Sequence, residues 1–389
     1  MQTLSLCLIV RDESRNLPRS LAPLMAYVDE AVVVDTGSQD GTPELAASWG
    51  ARVFHFPWQD DFSQARNFSL DQAECDWIMW LDADNRLPEE DARQLKSLVQ
   101  RPREAILWAT EIVEPGGGRL WQKRLFPRLP QIRFRYRVHE QLCHPPDLAQ
   151  VLTPVRIYHW GYEDRRARQN KSQRNLAYLL LELAERPDDF YVHYHLARHY
   201  FFASKFSEAL VHLGKVLATP ELAAQNPEIP RHARILSAQC RGRLGDPAGA
   251  ARELEEVAGQ YPDYGLAWFH LGMHRFGAGD LEGAVHGLNR FLELGCGHLL
   301  LDQPEDKLTL NARLTQAHAL RQLGRQDAAR LVLEETQRLF PEQPAVWLES
   351  AVLARAASDL AGARRALKTC LRLRPDLPRA QRLLQEMSA

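Results

Sequence analysis

The stretch "WIMWLDADN", residues 77 to 85, is a run of large apolar side chains that ends in two carboxylates. The run from Trp77 to Leu81 is typical of a strand that is buried on both faces of a sheet. Asp82 and Asp84 follow directly, so both side chains are expected on the same side of a turn at the end of the strand. Such a pair can hold a hard divalent cation that carries phosphate oxygens, although a lone pair can equally be a turn or a helix cap.

Four further apolar runs lie within residues 1–160 and alternate with segments of helical period. The runs are 4–10, 30–35, 51–56 and 105–110, and the helical segments are 14–27, 42–49 and 62–74. This alternation predicts an α/β domain with a parallel sheet that is covered on both faces. Ligands of such sheets bind at the carboxyl ends of the strands, where polar residues follow directly. The residues expected on this rim are Arg11, Asp12, Glu13, Asp35, Asp82 and Asp84.

The second part of the chain contains an internal repeat. Its period is 34 residues, the spacing from Gly245 to Gly279 and from Gly324 to Ser358. A period of 34 with helix-ending prolines resembles the tetratricopeptide repeat, which implies an all-α solenoid of about five units. We predict a first domain over residues 1–160, a junction helix over 161–186, repeats over 187–377 and a capping helix over 378–389. One small residue recurs in each unit, where paired helices are expected to cross closely: Ala209, Ala250, Ala284, Ala329 and Ala363.

Length, charge and cysteine usage limit the class of protein. A chain of 389 residues exceeds what one core usually supports, and the net charge of −2 gives no field that would attract nucleic acid or an anionic membrane. The six cysteines lie far apart and form no metal-binding pattern, which indicates free thiols in a reducing compartment. The apolar run at residues 4–10 is far shorter than the roughly 20 residues of a membrane span, and no signal peptide surrounds it. We therefore expect a cytoplasmic protein without a transmembrane segment or a nucleic-acid partner.

Two more elements contribute polar residues to the predicted rim. In "VVVDTGSQDGT", residues 32–42, Asp35 ends a strand and can accept hydrogen bonds from a base or a ribose. In "DFSQARNFSL", residues 61–70, Arg66 and Asn67 lie on the helix that leads into the acidic strand. The sequence leaves open whether Arg66 pairs with a phosphate or with the carboxylate of Asp82.

The segment "QIRFRYRVHEQLCH", residues 131–144, alternates apolar and basic side chains. This alternation predicts a strand that ends at His139 and Glu140. Either of these two side chains can act as a general base, while the alternative is that Glu140 only pairs with a neighbouring arginine. His159, in "IYHWGY", is a candidate metal ligand or phosphate contact, or a structural histidine. The basic segment 118–128 either binds phosphate or sugar, or is a solvated loop.

Four of these elements, in this order, resemble glycosyltransferase family 2: "LCLIVRDES", "VVVDTGSQDGT", "DFSQARNFSL" and "WIMWLDADN". The resemblance implies a Rossmann-like GT-A domain that binds a nucleotide sugar, such as a UDP- or GDP-sugar, with Mn²⁺ or Mg²⁺. It implies that Asp84, assisted by Asp82, binds the cation, for which His159 is a candidate further ligand. In an inverting transfer, Glu140 or His139 would then be the base. One departure is Asn85, where many relatives have an acidic residue. The residues that the resemblance assigns to the nucleotide sugar are Arg11, Glu13, Asp35, Arg66, Asn67 and Asp82.

The order of a family 2 domain followed by tetratricopeptide-like helices is similar to bacterial transferases that glycosylate peptides, including those of glycopeptide bacteriocins. This similarity implies a peptide or protein acceptor and allows a homodimer. An alternative hypothesis is a scaffold whose repeats bind a protein partner while the first domain only binds nucleotide. A nucleotidyltransferase is a third option, but the chain has no glycine-rich triphosphate loop near its N-terminus. The sequence does not fix the donor sugar, the base, the acceptor or the oligomeric state.

Overall fold

The computed structural model describes residues 1–100, 105–113, 118–159, 165–219, 226–296 and 305–387. The chain divides into two compact units, of which the first comprises Met1–Ala233 and the second begins at Arg234. None of the helices in the described ranges is long and apolar enough to cross a membrane.

The first unit is built on a mixed sheet of eight strands. Its strand order is β3-β2-β1-β4-β7-β6-β10-β5, and β8 and β9 form a separate small sheet. The strands are β1 (Leu4–Val10), β2 (Glu30–Asp35), β3 (Arg52–His55), β4 (Trp77–Asp82), β5 (Asn85–Arg86), β6 (Ala105–Val113), β7 (Gly118–Pro127), β8 (Arg133–Arg135), β9 (Gln141–Cys143) and β10 (Ala149–His159).

The prediction of a parallel sheet is confirmed for one half and wrong for the other. Strands β3, β2, β1 and β4 run parallel, whereas β7 runs antiparallel to both β4 and β6. Only residues 114–117 separate β6 from β7, which is too short a connection for the crossover that parallel neighbours need. The basic segment 118–128, for which a solvated loop was one of two alternatives, therefore contributes an inner strand.

Side chains of β1 alternate between two apolar cores. Leu6 and Leu8 pack with Trp77 on one face of the sheet, while Cys7 packs with Ile78 on the other. Because both faces are covered, the ends of the strands are the places where polar side chains of the sheet meet solvent.

Helices of the first unit flank the sheet or follow it in the chain. The predicted helix at 14–27 is shorter than expected because Pro18 and Pro23 each begin a new turn and lack an amide N–H. The helices are α1 (Leu17–Ser20), a 3₁₀ helix (Ala22–Leu24), α2 (Thr42–Ser48), α3 (Phe62–Gln72), α4 (Glu89–Leu98), α5 (Arg165–Glu185), α6 (Phe190–Phe202) and α7 (Phe206–Leu217).

The remaining helices form the repeat part of the chain, and α8 spans the point at which the two compact units divide. The alanines that recur in the repeats are at most 1% exposed, which confirms that they lie where helices cross closely. The helices are α8 (Glu228–Arg243), α9 (Pro247–Gln260), α10 (Gly265–Gly277), α11 (Leu281–Leu294), α12 (Glu305–Gln322), α13 (Gln326–Leu339), α14 (Pro344–Ala356), α15 (Leu360–Leu373) and α16 (Pro378–Glu386).

Candidate active site

A cleft of about 1190 Å³ lies within the first unit. It opens at the carboxyl ends of β1 and β4, which is the edge where parallel sheets bind ligands. Two of the residues predicted from the sequence, Asp35 and Asn67, are not among its lining residues. The predicted residues that do line it are Arg11, Glu13, Arg66, Asp82, Asp84, His139, Glu140 and His159.

Asp82, at the end of β4, binds two arginines. Its Oδ1 accepts a hydrogen bond from Arg66 Nη2 at 2.7 Å, and its Oδ2 accepts one from Arg124 Nη1 at 3.2 Å. The guanidinium carbons lie 4.1 Å (Arg66) and 3.6 Å (Arg124) from the ring centre of Trp80, close enough for cation–π contacts. Burial raises the pKa of Asp82, but the two arginines outweigh it and hold that pKa well below its usual range. Asp82 is therefore ionised, with both oxygens engaged.

Arg66 connects Asp82 to Glu140. The Nε of Arg66 lies 3.0 Å from Glu140 Oε1, and the residue is only 8% exposed. Burial lowers the pKa of Arg66, and the charges of Asp82 and Glu140 raise it above its usual range. The sequence left the partner of Arg66 open, and the structure identifies Asp82 and Glu140. The neighbouring arginines of Glu140 have other partners: Arg133 pairs with Asp71, Arg135 with Asp189 and Arg137 with Glu185.

Asp84 lies beside His159, a second candidate metal ligand. Asp84 Oδ1 is 3.4 Å from His159 Nδ1, and the amide of Asn85 is 3.0 Å from the same nitrogen. The antiparallel pairing of His159 with Asn85 brings these side chains together. Sequence reasoning treated Asn85 only as a departure from the family pattern, whereas the structure makes it the residue that orients the imidazole.

The side chains at this point fit a cation that is bound partly by the protein and partly by oxygens of a substrate. Asp84 and His159 could each contribute one ligand atom, whereas the oxygens of Asp82 are committed to arginines. Within the described ranges no three His, Cys, Asp or Glu side chains are grouped as a complete metal site. Mg²⁺ is often bound in this way, by one or two carboxylates and by phosphate oxygens of the substrate. Glu13 is a further carboxyl group close to these acidic residues. Burial, followed by the charges of Asp84, Asp40 and Asp82, raises its pKa.

The strand that was predicted to end at His139 and Glu140 is shorter than predicted. Strand β8 ends at Arg135, and the backbone is left-handed at Tyr136 (φ 79°) and at His139 (φ 57°), which breaks the strand. The predicted apolar face is nevertheless buried, since Phe134, Tyr136 and Val138 are each at most 9% exposed. Residues 136–140 therefore form the loop of a hairpin that carries Glu140 into the cleft.

His139 stacks on a second histidine at the wall of the cleft. The centre of its ring lies 4.1 Å from that of His195. Desolvation, followed by the charges of Arg198 and Lys171, lowers the pKa of His139, but the residue is exposed in the cleft, so water weakens this effect. His139 and Glu140 both stay candidate bases, and Glu140 is the one that a hydrogen bond from Arg66 holds in place.

Lys123 and Arg124 are not part of a solvated loop. Arg124 is 2% exposed within β7 and pairs with Asp82. The Nζ of Lys123 lies 2.8 Å from His144 Nε2, and burial lowers the pKa of this lysine to about 8. Both residues line the cleft.

Asp35 and Asn67 make local contacts instead of lining the cleft. Asp35 accepts hydrogen bonds from the backbone N–H groups of Gly37 and Ser38, each at 3.1 Å. The amide of Asn67 pairs with the backbone of Phe134 in both directions, at 2.9 and 2.8 Å. These contacts shape the turn after β2 and anchor β8 on α3, and nucleotide binding by either residue stays a prediction.

Sequence reasoning missed a wall of the cleft formed by one face each of α5 and α6. The signal was present, because both faces repeat at positions i, i+3, i+4 and i+7 of a helix. Polar and aromatic side chains occupy positions where a packing helix would carry aliphatic ones. The residues of this helical wall are Lys171, Arg174, Asn175 and Tyr178 of α5, and Tyr191, Tyr194, His195 and Arg198 of α6.

The α/β sheet with an acidic strand end and a cleft over it defines the class of the first domain. Residues 5–158 match the family described as Glycosyl transferase family 2, and residues 237–292 and 310–353 match Tetratricopeptide repeat families. The chain therefore carries a glycosyltransferase family 2 domain followed by tetratricopeptide repeats, as the sequence motifs predicted.

Individual relatives share parts of the chain. A TPR repeat-containing protein of Synechococcus elongatus is 39% identical over 206 residues, which is 49% of this chain and 51% of that protein. The SPbeta prophage-derived glycosyltransferase SunS of Bacillus subtilis is 26% identical over 184 residues, 45% of this chain and 43% of that protein. The chain thus spans about half the length of these relatives. Among solved structures, the Cut9–Hcn1 assembly of the APC/C is similar over 57% of this chain and 40% of that chain, with 17% identity and a TM-score of 0.45.

Proposed function

We propose that the protein is a metal-dependent, inverting glycosyltransferase that moves a sugar from a nucleotide-sugar donor to a peptide or protein acceptor. The observation that carries this proposal is the network from Asp82 through Arg66 to Glu140. It brings the acidic end of β4 and a candidate base into one cleft, beside Asp84 and His159. A domain that only bound nucleotide, as in the scaffold alternative, would not need the carboxylate of Glu140 in the same cleft.

Asp84 and His159 would hold Mn²⁺ or Mg²⁺ together with oxygens of the donor. When bound, the cation neutralises charge on the departing nucleoside diphosphate. Arg124 and Arg66 neutralise Asp82, so that this carboxylate does not repel the donor phosphates. A UDP- or GDP-sugar remains the expected donor.

Glu140 would take the proton from the acceptor. As the acceptor oxygen or sulfur attacks the anomeric carbon, a new bond to the sugar forms and the bond from that carbon to the phosphate oxygen breaks. The proton passes to Glu140 and the electron pair leaves with the nucleoside diphosphate. Arg66 holds the carboxylate in position, since its Nε hydrogen bond fixes Oε1.

The cleft is large enough for both substrates. Its volume, about 1190 Å³, exceeds the typical range for one small ligand.

The test is release of the nucleotide, a nucleoside diphosphate from UDP-, GDP- and TDP-sugars and CMP from CMP-sugars, with and without the acceptor peptides described below. We expect turnover with one nucleotide class in Mn²⁺ or Mg²⁺ and none in EDTA. Asp84→Asn should remove it, and Glu140→Gln should lower kcat by about 10²- to 10⁴-fold without changing the KM for the donor. Asp71→Asn, at an exposed carboxylate that pairs with Arg133, is the control. Full turnover in chelator or in Asp84→Asn would contradict the proposal.

A further inference from the structure

Two arginines of the helical wall differ from the other arginines deep in the cleft. Arg66 and Arg124 each pair with a carboxylate. Arg198 is half-buried and makes no hydrogen bond or ion pair with any residue in the described part of the chain. Its guanidinium carbon lies 5.8 Å from the ring centre of Tyr194.

Arg174 is also incompletely bonded. Its Nε, like that of Arg124, is buried without a hydrogen-bond partner among the described residues. Arg124 nevertheless pairs with the carboxylate of Asp82, whereas Arg174 has no carboxylate partner among those residues. Its Nη2 donates only to the neutral side chain of Asn175, at 3.3 Å, and its guanidinium carbon lies 5.0 Å from the ring centre of Phe62. Removing a guanidinium from water without an anionic partner costs free energy, so buried arginines are normally paired. Two such groups on one wall of a substrate cleft favour a ligand that brings the anion.

The position of Arg198 indicates that the anion belongs to the acceptor and not to the nucleotide-sugar donor. Ring contacts connect it to the base: Tyr194 packs edge-on against His195 at 5.3 Å, and His195 stacks on His139 at 4.1 Å. His139 directly precedes Glu140 in the loop. The donor phosphates are expected elsewhere, at Asp84 and His159, where the strands end.

We propose that Arg198 and Arg174 bind carboxylates of Asp or Glu residues close to the modified residue of a peptide acceptor. The planar fork of a guanidinium matches a carboxylate in two parallel hydrogen bonds. This inference rests on the proposed function, because it places the acceptor next to Glu140.

The test measures binding of labelled peptides by fluorescence anisotropy. One nonapeptide carries Ser, Thr and Cys at its centre with a Glu on each side, and its counterpart carries Gln in place of both Glu. We expect the acidic peptide to bind about tenfold more tightly, as for a charge-assisted hydrogen bond of about 1.4 kcal/mol. Arg198→Gln and Arg174→Gln should each remove most of this preference, and Arg198→Lys should retain part of it. Arg252→Gln, at an exposed arginine on α9, is the matched control.

Several results of this binding experiment would contradict the inference. Equal affinity for the acidic and neutral peptides, or an unchanged preference in Arg198→Gln, would overturn the inference. Preference for a phosphoserine peptide or for phosphatidylglycerol vesicles over the acidic peptide would overturn it in favour of a phosphate-bearing acceptor. Melting temperatures identify any variant that fails to fold. Donor binding measured in parallel separates the two claims: donor bound without an acidic preference contradicts only this inference, and no donor bound contradicts the proposed function.

Discussion

Arg66 is the residue on which the candidate site most depends, because it contacts two carboxylates at once. Replacing it by Met leaves Asp82 with one arginine and Glu140 without its arginine. We expect the free energy of unfolding to fall by about 3 kcal/mol, the typical cost of breaking a buried ion pair from one side. Urea denaturation at pH 7 measures this. Arg128→Met, at an exposed arginine that donates to the backbone of Cys75, is the control, and an equal effect of both variants would contradict this role of Arg66.

The pKa of His270 makes stability depend on pH. Burial lowers that pKa to about 4 in the folded protein, against 6.5 ordinarily. Between these values the unfolded chain binds the extra proton, so stability is lost as the pH falls from 6.5 towards 4. His270→Gln should therefore flatten the dependence of the unfolding free energy on pH between 6.5 and 4. His286→Gln, at an exposed histidine, should not, and an unchanged slope in His270→Gln would be evidence against the burial argument.

Individual site residues could be predicted where a charge follows a strong strand. Asp82 and Asp84 are of this kind. Their partners could not be predicted, because the contacts of Arg66 join positions 16 and 74 residues apart. Arg174, in the predicted junction helix, and Arg198, in the predicted repeats, were missed because both helices were interpreted from their spacing alone, without regard to the polar and aromatic side chains on one face.

At the scale of elements, the start of α6 holds the loop that carries Glu140. Asp189 caps α6 and also accepts a hydrogen bond from the hydroxyl of Tyr136 at 3.1 Å. The hydroxyl of Tyr191 donates to the carbonyl of His139 at 2.9 Å and accepts from the amide of Gln141 at 2.5 Å. These two contacts lie on either side of Glu140, so Tyr191 is a positioning residue for the base.

Tyr191→Phe tests this role. The ring of residue 191 still stacks on Tyr136, 4.6 Å away, so we expect little change in melting temperature. Because Glu140 becomes less well oriented, kcat should fall about tenfold while the KM for the donor stays the same. Tyr200→Phe, on the same helix, is the control. A kcat equal to that of the wild type would show that the hydroxyl of Tyr191 does not position the loop.

The repeat helices of the second unit provide a matched pair of glycines. A Cβ at Gly287 would lie 3.0 Å from the backbone of Gly272 and 3.1 Å from the carbonyl of Trp268, whereas one at Gly259 meets nothing within 4 Å. Gly287→Ala should therefore destabilise by about 1–3 kcal/mol through overpacking. Gly259→Ala should stabilise by about 0.5–1 kcal/mol, since alanine favours the helix. Thermal unfolding distinguishes them, and effects of the same sign would contradict the close crossing of α10 and α11.

Strands and helices with a strong apolar pattern could be predicted from the sequence. The bounds of β1, β2 and β4 agree with the predicted runs. Strand β7 could not be predicted, because its basic residues satisfy their charges through tertiary contacts such as that of Arg124 with Asp82. The break in the segment 131–144 depends on left-handed residues that alternation does not reveal.

At the scale of the whole molecule, two large domains were predicted and two compact units are present. The units divide between Ala233 and Arg234, inside α8, so helices α5 to α7 belong to the unit that contains the sheet. Contacts such as that of Arg137 with Glu185, on α5, account for this, and a repeat period alone does not show them. The repeat boundaries themselves, the cytoplasmic location and the homodimer stay predictions.

The most direct test of the central claim is a thermal-shift measurement on the full chain with UDP-, GDP-, TDP- and CMP-sugars, each in Mn²⁺, Mg²⁺ and EDTA. A ligand that binds only the folded state raises the melting temperature. We predict a rise with one nucleotide class that requires the cation and is lost in Asp84→Asn. No rise with any donor, or the same rise in EDTA, would contradict a metal-dependent nucleotide-sugar site at Asp84 and His159.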